Sequence, residues 1–150
     1  MLQTQAVEPR TFSLLKKLMT LPSLHPFSLV GGTALALRYG HRNSVDLDLF
    51  YHDKFDYPQV IEVLESKFHE GFVYKQQLTQ FGIFCFIDNI KVDFIHFPHL
   101  PIAAIEEEEK IRFYSIADIS AMKIQAYLDE DRKRIFGIYM KYSSITPYNN

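Results

Sequence analysis

Residues 29–50 read LVGGTALALRYGHRNSVDLDLF, and this stretch restricts the local fold more than any other part of the chain. A short apolar run over 27–30 stops at Gly31-Gly32. Residues 33–39 follow, rich enough in Ala and Leu for a helix. Gly40 to Ser44 is polar, and Val45, Leu47 and Leu49 then alternate with Asp46 and Asp48, the period of a strand. The order is therefore strand, glycine turn, helix, loop, strand.

The flanking sequence supplies the other layers. Phe12, Leu15, Leu18 and Met19 sit at helical spacing in 10–20, as do Ile61, Leu64 and Phe68 in 58–68. Residues 72–97 are rich in aromatic and β-branched side chains and predict strands, with Asp88-Asn89 at the tip of a hairpin joining 81–87 to 90–97. Pro98 and Pro101 are expected to end that sheet, and the acidic run 106–109 to form a solvated face or loop. A helix is expected over 116–128, with Ser115 as its cap and Asp118 in a capping-box position. A last one is expected over 132–142, weakened by Gly137. The plan is mixed α/β (α+β), a small mixed sheet with flanking helices in a single domain over 1–150.

Composition narrows the function. The 150 residues carry sixteen basic and eighteen acidic side chains, a net charge of −2, which argues against broad, unspecific nucleic-acid binding. Cys85 is the lone cysteine, so an intramolecular disulfide and a cysteine-based zinc cluster are excluded. It stands between Phe84 and Phe86 and is expected to be a buried thiol. The N-terminus has no basic segment leading into an apolar run, and no stretch approaches ~18 apolar residues. A soluble, cytoplasmic protein without membrane contact is expected.

Three features of the 29–50 stretch converge on anion and metal chemistry. Adjacent glycines at a strand-to-helix junction let backbone N–H groups approach an anion, and the helix N-terminus adds partial positive charge. Asp46 and Asp48, two apart on a strand, leave one face roughly 7 Å apart and repel unless a cation lies between them. Hard carboxylate oxygens suit Mg²⁺, which takes one or two carboxylates plus phosphate oxygens and water. Arg42 and Ser44 precede the acids and can contact phosphate or ribose, although Arg42 can equally pair with an aspartate as a surface salt bridge. Asp93 interrupts the apolar strand IKVDFI and, if buried, needs a metal, a cation or hydrogen-bond donors. Three acids on neighbouring strands can hold two Mg²⁺ about 4 Å apart, the arrangement used for in-line nucleotidyl transfer. Lys123 falls within the apolar stripe of its helix, either snorkelling to water or reaching a triphosphate.

The run GGTALALRYGHRNSVDLDLF resembles the first motif of the AbiEii/AbiGii nucleotidyltransferase-like toxins, within the DNA polymerase β-like nucleotidyltransferase superfamily. The resemblance covers roughly residues 27–128. Its glycine pair is Gly31-Gly32, its Asp-x-Asp is Asp46 and Asp48, its third acid is Asp93 in KVDFIHF, and its following-helix lysine is Lys123 in SIADISAMKIQAY. It implies a nucleotidyltransferase fold and Mg²⁺-dependent transfer of a nucleoside monophosphate from an NTP to an acceptor hydroxyl. Asp46, Asp48 and Asp93 would hold two ions; Gly31, Gly32, Thr33, Arg42 and Ser44 would bind nucleotide; Lys123 would neutralise phosphate charge. The acceptor it implies is tRNA, another nucleic acid, a protein side chain or a small molecule, and a type IV pairing implies a cognate antitoxin. The chain departs from the pattern in 132–139, where the family's lysine-aspartate motif is replaced by a stretch without acids and the larger C-terminal region is shortened. That departure favours the alternative, a catalytically inactive nucleotidyltransferase-like binding module.

Plainer roles stand for other residues. His96 and His99, separated by Pro98, are expected to be structural or surface histidines and not zinc ligands. His41 adjoins the acids, and Arg132-Lys133-Arg134 is expected to be an exposed helix face.

Overall fold

The starts of three helices are set by local side-chain acceptors. In α1 (Pro9–Thr20) the Glu8 carboxylate accepts from the Thr11 N–H at 3.0 Å, and Pro9 fills a first-turn position that needs no donor. In α3 (Tyr57–Phe68) Asp56 accepts from the Gln59 N–H at 3.1 Å. The expected capping box opens α4 (Ile116–Tyr142): the Asp118 N–H donates to Ser115 Oγ at 3.1 Å, and that hydroxyl donates to Asp118 Oδ2 at 2.7 Å. The structure is a computed structural model and describes residues 1–40, 43–75 and 81–142, with side chains described through residue 130. Arg42 and His41 lie outside the described residues, as do the side chains of Arg132, Lys133 and Arg134.

Among the described residues, seven strands form one mixed sheet in the order β3-β4-β5-β2-β1-β7-β6. They are β1 (Ser28–Val30), β2 (Leu47–Tyr51), β3 (Phe72–Tyr74), β4 (Gly82–Ile87), β5 (Ile90–His96), β6 (Glu106–Glu108) and β7 (Ile111–Phe113). β2 runs antiparallel to β1 and parallel to β5, and β1 runs parallel to β7. The mixed α/β plan read from the sequence is the observed one. The β4–β5 hairpin closes at Asp88 and Asn89, both at positive φ (50° and 66°), as a two-residue primed turn requires.

Two expectations are corrected. The sheet does not end at Pro98. It resumes with β6 and β7, joined through Glu109 and Lys110 at φ of 50° and 67°. The acidic run is therefore the solvated face expected, carried on an edge strand and not on a loop. An edge strand keeps one side in water and tolerates charge. Here Arg38 Nη1 meets Glu106 at 2.8 Å, the N-terminal ammonium meets Glu108 at 3.0 Å, and the Leu2 N–H donates to Glu109 at 2.8 Å. The separate helix expected over 132–142 is instead a continuation of α4 through Gly137. One glycine costs a helix interior only about 1 kcal/mol relative to alanine, too little to end it.

Strand alternation divides the sheet. Leu47, Leu49, Val92 and Phe94 point to one face and are fully buried with Leu14, Leu15 and Leu18 of α1 and Leu64 of α3. Each such side chain contributes about 1.5–3 kcal/mol of hydrophobic stabilisation. Phe27 fixes the aromatic part of this core by edge contacts to Phe55 and Phe94, with ring centroids 4.8 and 5.5 Å away. The guanidinium of Arg112 on β7 donates to the carbonyls of Phe27, Met19 and Leu24 at 3.0, 3.2 and 3.1 Å, tying the end of α1 and the start of β1 to the sheet. Asp48, Phe50, Lys91 and Asp93 point to the opposite face. No helix among the described residues is long and apolar enough to cross a membrane.

Asp118 seats α4. Besides Ser115 Oγ, its carboxylate accepts from the backbone N–H groups of Ile102 and Ala103 at 2.7 and 3.1 Å. Burial alone would raise its pKa, but the hydrogen bonds from Ile102, Ser115 and Ala103 outweigh burial and hold it below the ordinary 3.8. A carboxyl lowered on folding stabilises the fold above its unfolded pKa and loses that contribution as pH falls through the folded value. Asp118→Ala is expected to lose about 2 kcal/mol at pH 7. In urea titrations, the gap to wild type should close as the pH is taken below 3.8.

Candidate nucleotide and metal site

The site is built where β1 gives way to α2 (Gly31–Tyr39). Val30, the residue before the helix, is extended and offers no side-chain cap, so the first N–H groups of α2 have no side-chain acceptor. Gly31 has φ of +74°, which an L side chain rarely adopts. Close approach is a second reason for glycine there, because a Cβ at Gly31 would stand 2.7 Å from Asp48 Oδ2. The uncapped helix start and the carboxylate of the neighbouring strand therefore meet directly.

The parallel register then assembles the acids. Asp48 on β2 is paired with Asp93 on β5, so two carboxylates occupy adjacent positions on one face. Asp46 lies just before β2 and is exposed, and Asp48 is partly buried. Burial, then the Asp93 charge and lastly Asp46 raise the Asp48 pKa, against an opposing effect of Lys91. Asp93 is 7% exposed. Its Oδ2 receives the Lys91 ammonium at 2.8 Å, whereas its buried Oδ1 has no hydrogen-bond partner. A buried carboxylate oxygen without a donor is costly and calls for a cation.

The donor chemistry fits a hard divalent ion, but the spacing is not yet that of a loaded site. Among the described residues no three of His, Cys, Asp and Glu converge closely enough to hold a metal. Carboxylates without a cation between them repel, and among the described residues Lys91 is the cation paired with one of them. Lys91 was not singled out from the sequence. Its signal was its position two residues before Asp93 on the same strand, which puts both on one face.

Other expected site residues sort by position. Gly31, Gly32, Asp48 and Lys123 line one cleft of about 340 Å³, walled by Leu35 and Met122. Lys123 is exposed there, so its ammonium faces the same cleft as the glycine turn. Thr33 and Ser44 are buried. Their hydroxyls share a hydrogen bond at 2.5 Å, and Thr33 also donates to the Asp46 carbonyl. They strap the loop before β2 to the start of α2, helped by the Ser44 N–H donating to Ala6 at 3.1 Å. His96 closes β5 half-buried, and exposed His99 stacks edge-on against Phe97 at 4.9 Å. Cys85 is buried as expected, donates to the Val92 carbonyl at 3.1 Å, and has its thiol pushed up to about 12 by burial and then by Asp93.

A larger cleft of about 510 Å³ lies between Met19, His25 and Arg112. It has neither the glycine turn nor the aspartates, so its size does not make it the stronger candidate.

Comparison with known proteins places the chain in a family. The family described as nucleotidyl transferase AbiEii toxin, type IV TA system, matches residues 13–139. The chain belongs to the AbiEii family. An uncharacterized protein of Aquifex aeolicus (strain VF5), aq_aa25, is 29% identical over 126 residues, 81% of this chain and 60% of that protein. The chain thus spans about 60% of the length of the curated relative it matches. Two crystal structures from Helicobacter pylori, JHP933 and one described as a candidate nucleotidyltransferase, each align with 19% identity and a TM-score of 0.47. Each covers 75% of this chain, and the aligned parts are 55% and 56% of those chains respectively.

In this AbiEii-family chain the glycine turn and Asp48 form one mechanical unit, which a single methyl should disrupt. Gly31→Ala is expected to destabilise by about 2 kcal/mol, through the left-handed φ and the clash with Asp48 together. Gly32→Ala, at an ordinary helical position, should leave stability unchanged or raise it. Paired chemical-denaturation curves check the contrast; equal effects of the two substitutions would contradict it.

Proposed function

We propose that this chain transfers a nucleoside monophosphate from an NTP to an acceptor hydroxyl. The observation that carries this reading is the register pairing of Asp48 with Asp93 beneath the uncapped start of α2. Membership of the AbiEii family supports the reaction class. The N–H groups at Gly31 and Gly32 would bind phosphate oxygens, and Lys123 would neutralise charge on them from the far wall of the cleft. Thr33 and Ser44 hold the loop that delivers Asp46 and Asp48, and Arg42 in that loop is assigned to phosphate or ribose.

Asp46, Asp48 and Asp93 would hold Mg²⁺, two ions in the full complement. Bound there, it would supply charge neutralisation on the triphosphate and acidify the acceptor hydroxyl. In the transfer the acceptor hydroxyl would release its proton to solvent water, its oxygen would bond to the α-phosphorus as the α–β bridging P–O bond breaks, and pyrophosphate would leave. The acceptor to test first is tRNA, and the family's type IV pairing supports a cognate antitoxin as partner. The second reading, an inactive binding module, is favoured by the acids not converging on one point among the described residues.

A thermal-shift titration with each NTP, with and without Mg²⁺, separates the two. The transferase reading expects magnesium-dependent stabilisation by at least one NTP, lost in Asp46→Ala and Asp48→Ala, since binding to the native state alone raises Tm. Removal of either carboxylate should lower turnover by several orders of magnitude. If NTP and metal binding survive both substitutions unchanged, these acids are not the site. Growth arrest on expression, abolished by Asp46→Ala, would mark a toxin.

A further inference from the structure

Lys91 and Asp93 share a face of β5, and the lysine ammonium lies 2.8 Å from Asp93 Oδ2. The two are unequally free: the Lys91 side chain is about half exposed, whereas that of Asp93 is buried. The carboxylate is fixed in the sheet while the ammonium reaches it from the solvent side on a flexible stem. Along the same face Asp48 is the register partner of Asp93, and Asp46 stands one alternation before Asp48. Lys91 is thus, among the described residues, the cation paired with a carboxylate assigned to metal, and Asp93 still keeps one buried oxygen without a partner.

We propose that Lys91 is a built-in counter-ion that competes with a divalent cation for Asp93. This rests on reading the aspartates as a metal site. An inner-sphere Mg²⁺ sits about 2.0–2.1 Å from its oxygen ligands. An ammonium on the same carboxylate repels such an ion at close range and neutralises part of the charge that would hold it. In the metal-free chain Lys91 offsets part of the repulsion among Asp46, Asp48 and Asp93. When a divalent ion takes Asp93, the ammonium swings to solvent, and the carboxylates can close on the ion. Metal affinity is then set by a competition within the chain as well as by the number of carboxylates.

The test is Mn²⁺ binding to the full chain, followed by the electron paramagnetic resonance of the free ion, for wild type, Lys91→Met and Lys91→Arg. Removing the competing charge should tighten Mn²⁺ binding about tenfold. Lys91→Arg, which keeps the charge and can grip a carboxylate with two N–H groups, should weaken it. A melting experiment adds an independent readout: without metal Lys91→Met should melt below wild type, and its Mn²⁺-induced rise should be the larger of the two. Equal or weaker Mn²⁺ binding by Lys91→Met, with wild type binding normally, overturns the competition and leaves the metal site standing. If Lys91→Met does not fold, unchanged or tighter Mn²⁺ binding by Lys91→Arg overturns it alone. No Mn²⁺ binding by any of the proteins at millimolar concentration overturns the competition together with the metal reading.

Discussion

Carboxylates on adjacent parallel strands repel, and the pairing of Asp48 with Asp93 builds that repulsion into the middle of the sheet. The rest of the site is arranged around it. β2 also pairs with β1, setting Val30 opposite Asp48, so the glycine turn that follows Val30 begins directly over the carboxylate. The buried face of the same strands, with Leu47, Leu49, Val92 and Phe94, supplies the hydrophobic stabilisation that holds the charged face in place. A single alternation thus separates the residues that stabilise the sheet from those that load it with charge.

The devices around the acids are of two kinds. Thr33, Ser44 and the backbone of Ala6 fix the approach to β2 through hydrogen bonds that are buried and local to the loop. Lys91 acts electrostatically, from a side chain half in water, on a carboxylate that is not. The first kind gives geometry and the second gives charge balance, and only the second can be exchanged for an ion without rebuilding the fold.

Much of this was legible because it is local. A strand ending in Gly31-Gly32, a helix of small and apolar residues, and Asp46 and Asp48 in alternation all lie within one stretch of chain. So do the Asp88-Asn89 turn and the Ser115–Asp118 capping box, where each residue's own conformation or reach sets the structure. What escaped the sequence is non-local. Nothing in the acidic run 106–109 announces that Arg38 and the N-terminus will neutralise it and let it join the sheet edge. Nothing local marks Arg112 either, whose guanidinium meets the carbonyls of Met19, Leu24 and Phe27 only in the folded chain. Lys91 was overlooked because the apolar strand around it drew notice to Asp93 alone, and its meaning appears only once the register puts it among acids from another strand.

The same register governs when the site can exist. Asp48 and Asp93 are neighbours in the sheet but 45 residues apart in the chain, and Leu29 waits for Phe113 before β1 gains its second partner. Pairings of such long range are slow relative to the closing of a hairpin like β4–β5. During synthesis the glycine turn and the Asp46–Asp48 strand leave the ribosome well before β5 does. A growing chain therefore carries half of the acidic face for many residues without the other half, and no fragment that stops short of β5 contains the centre at all.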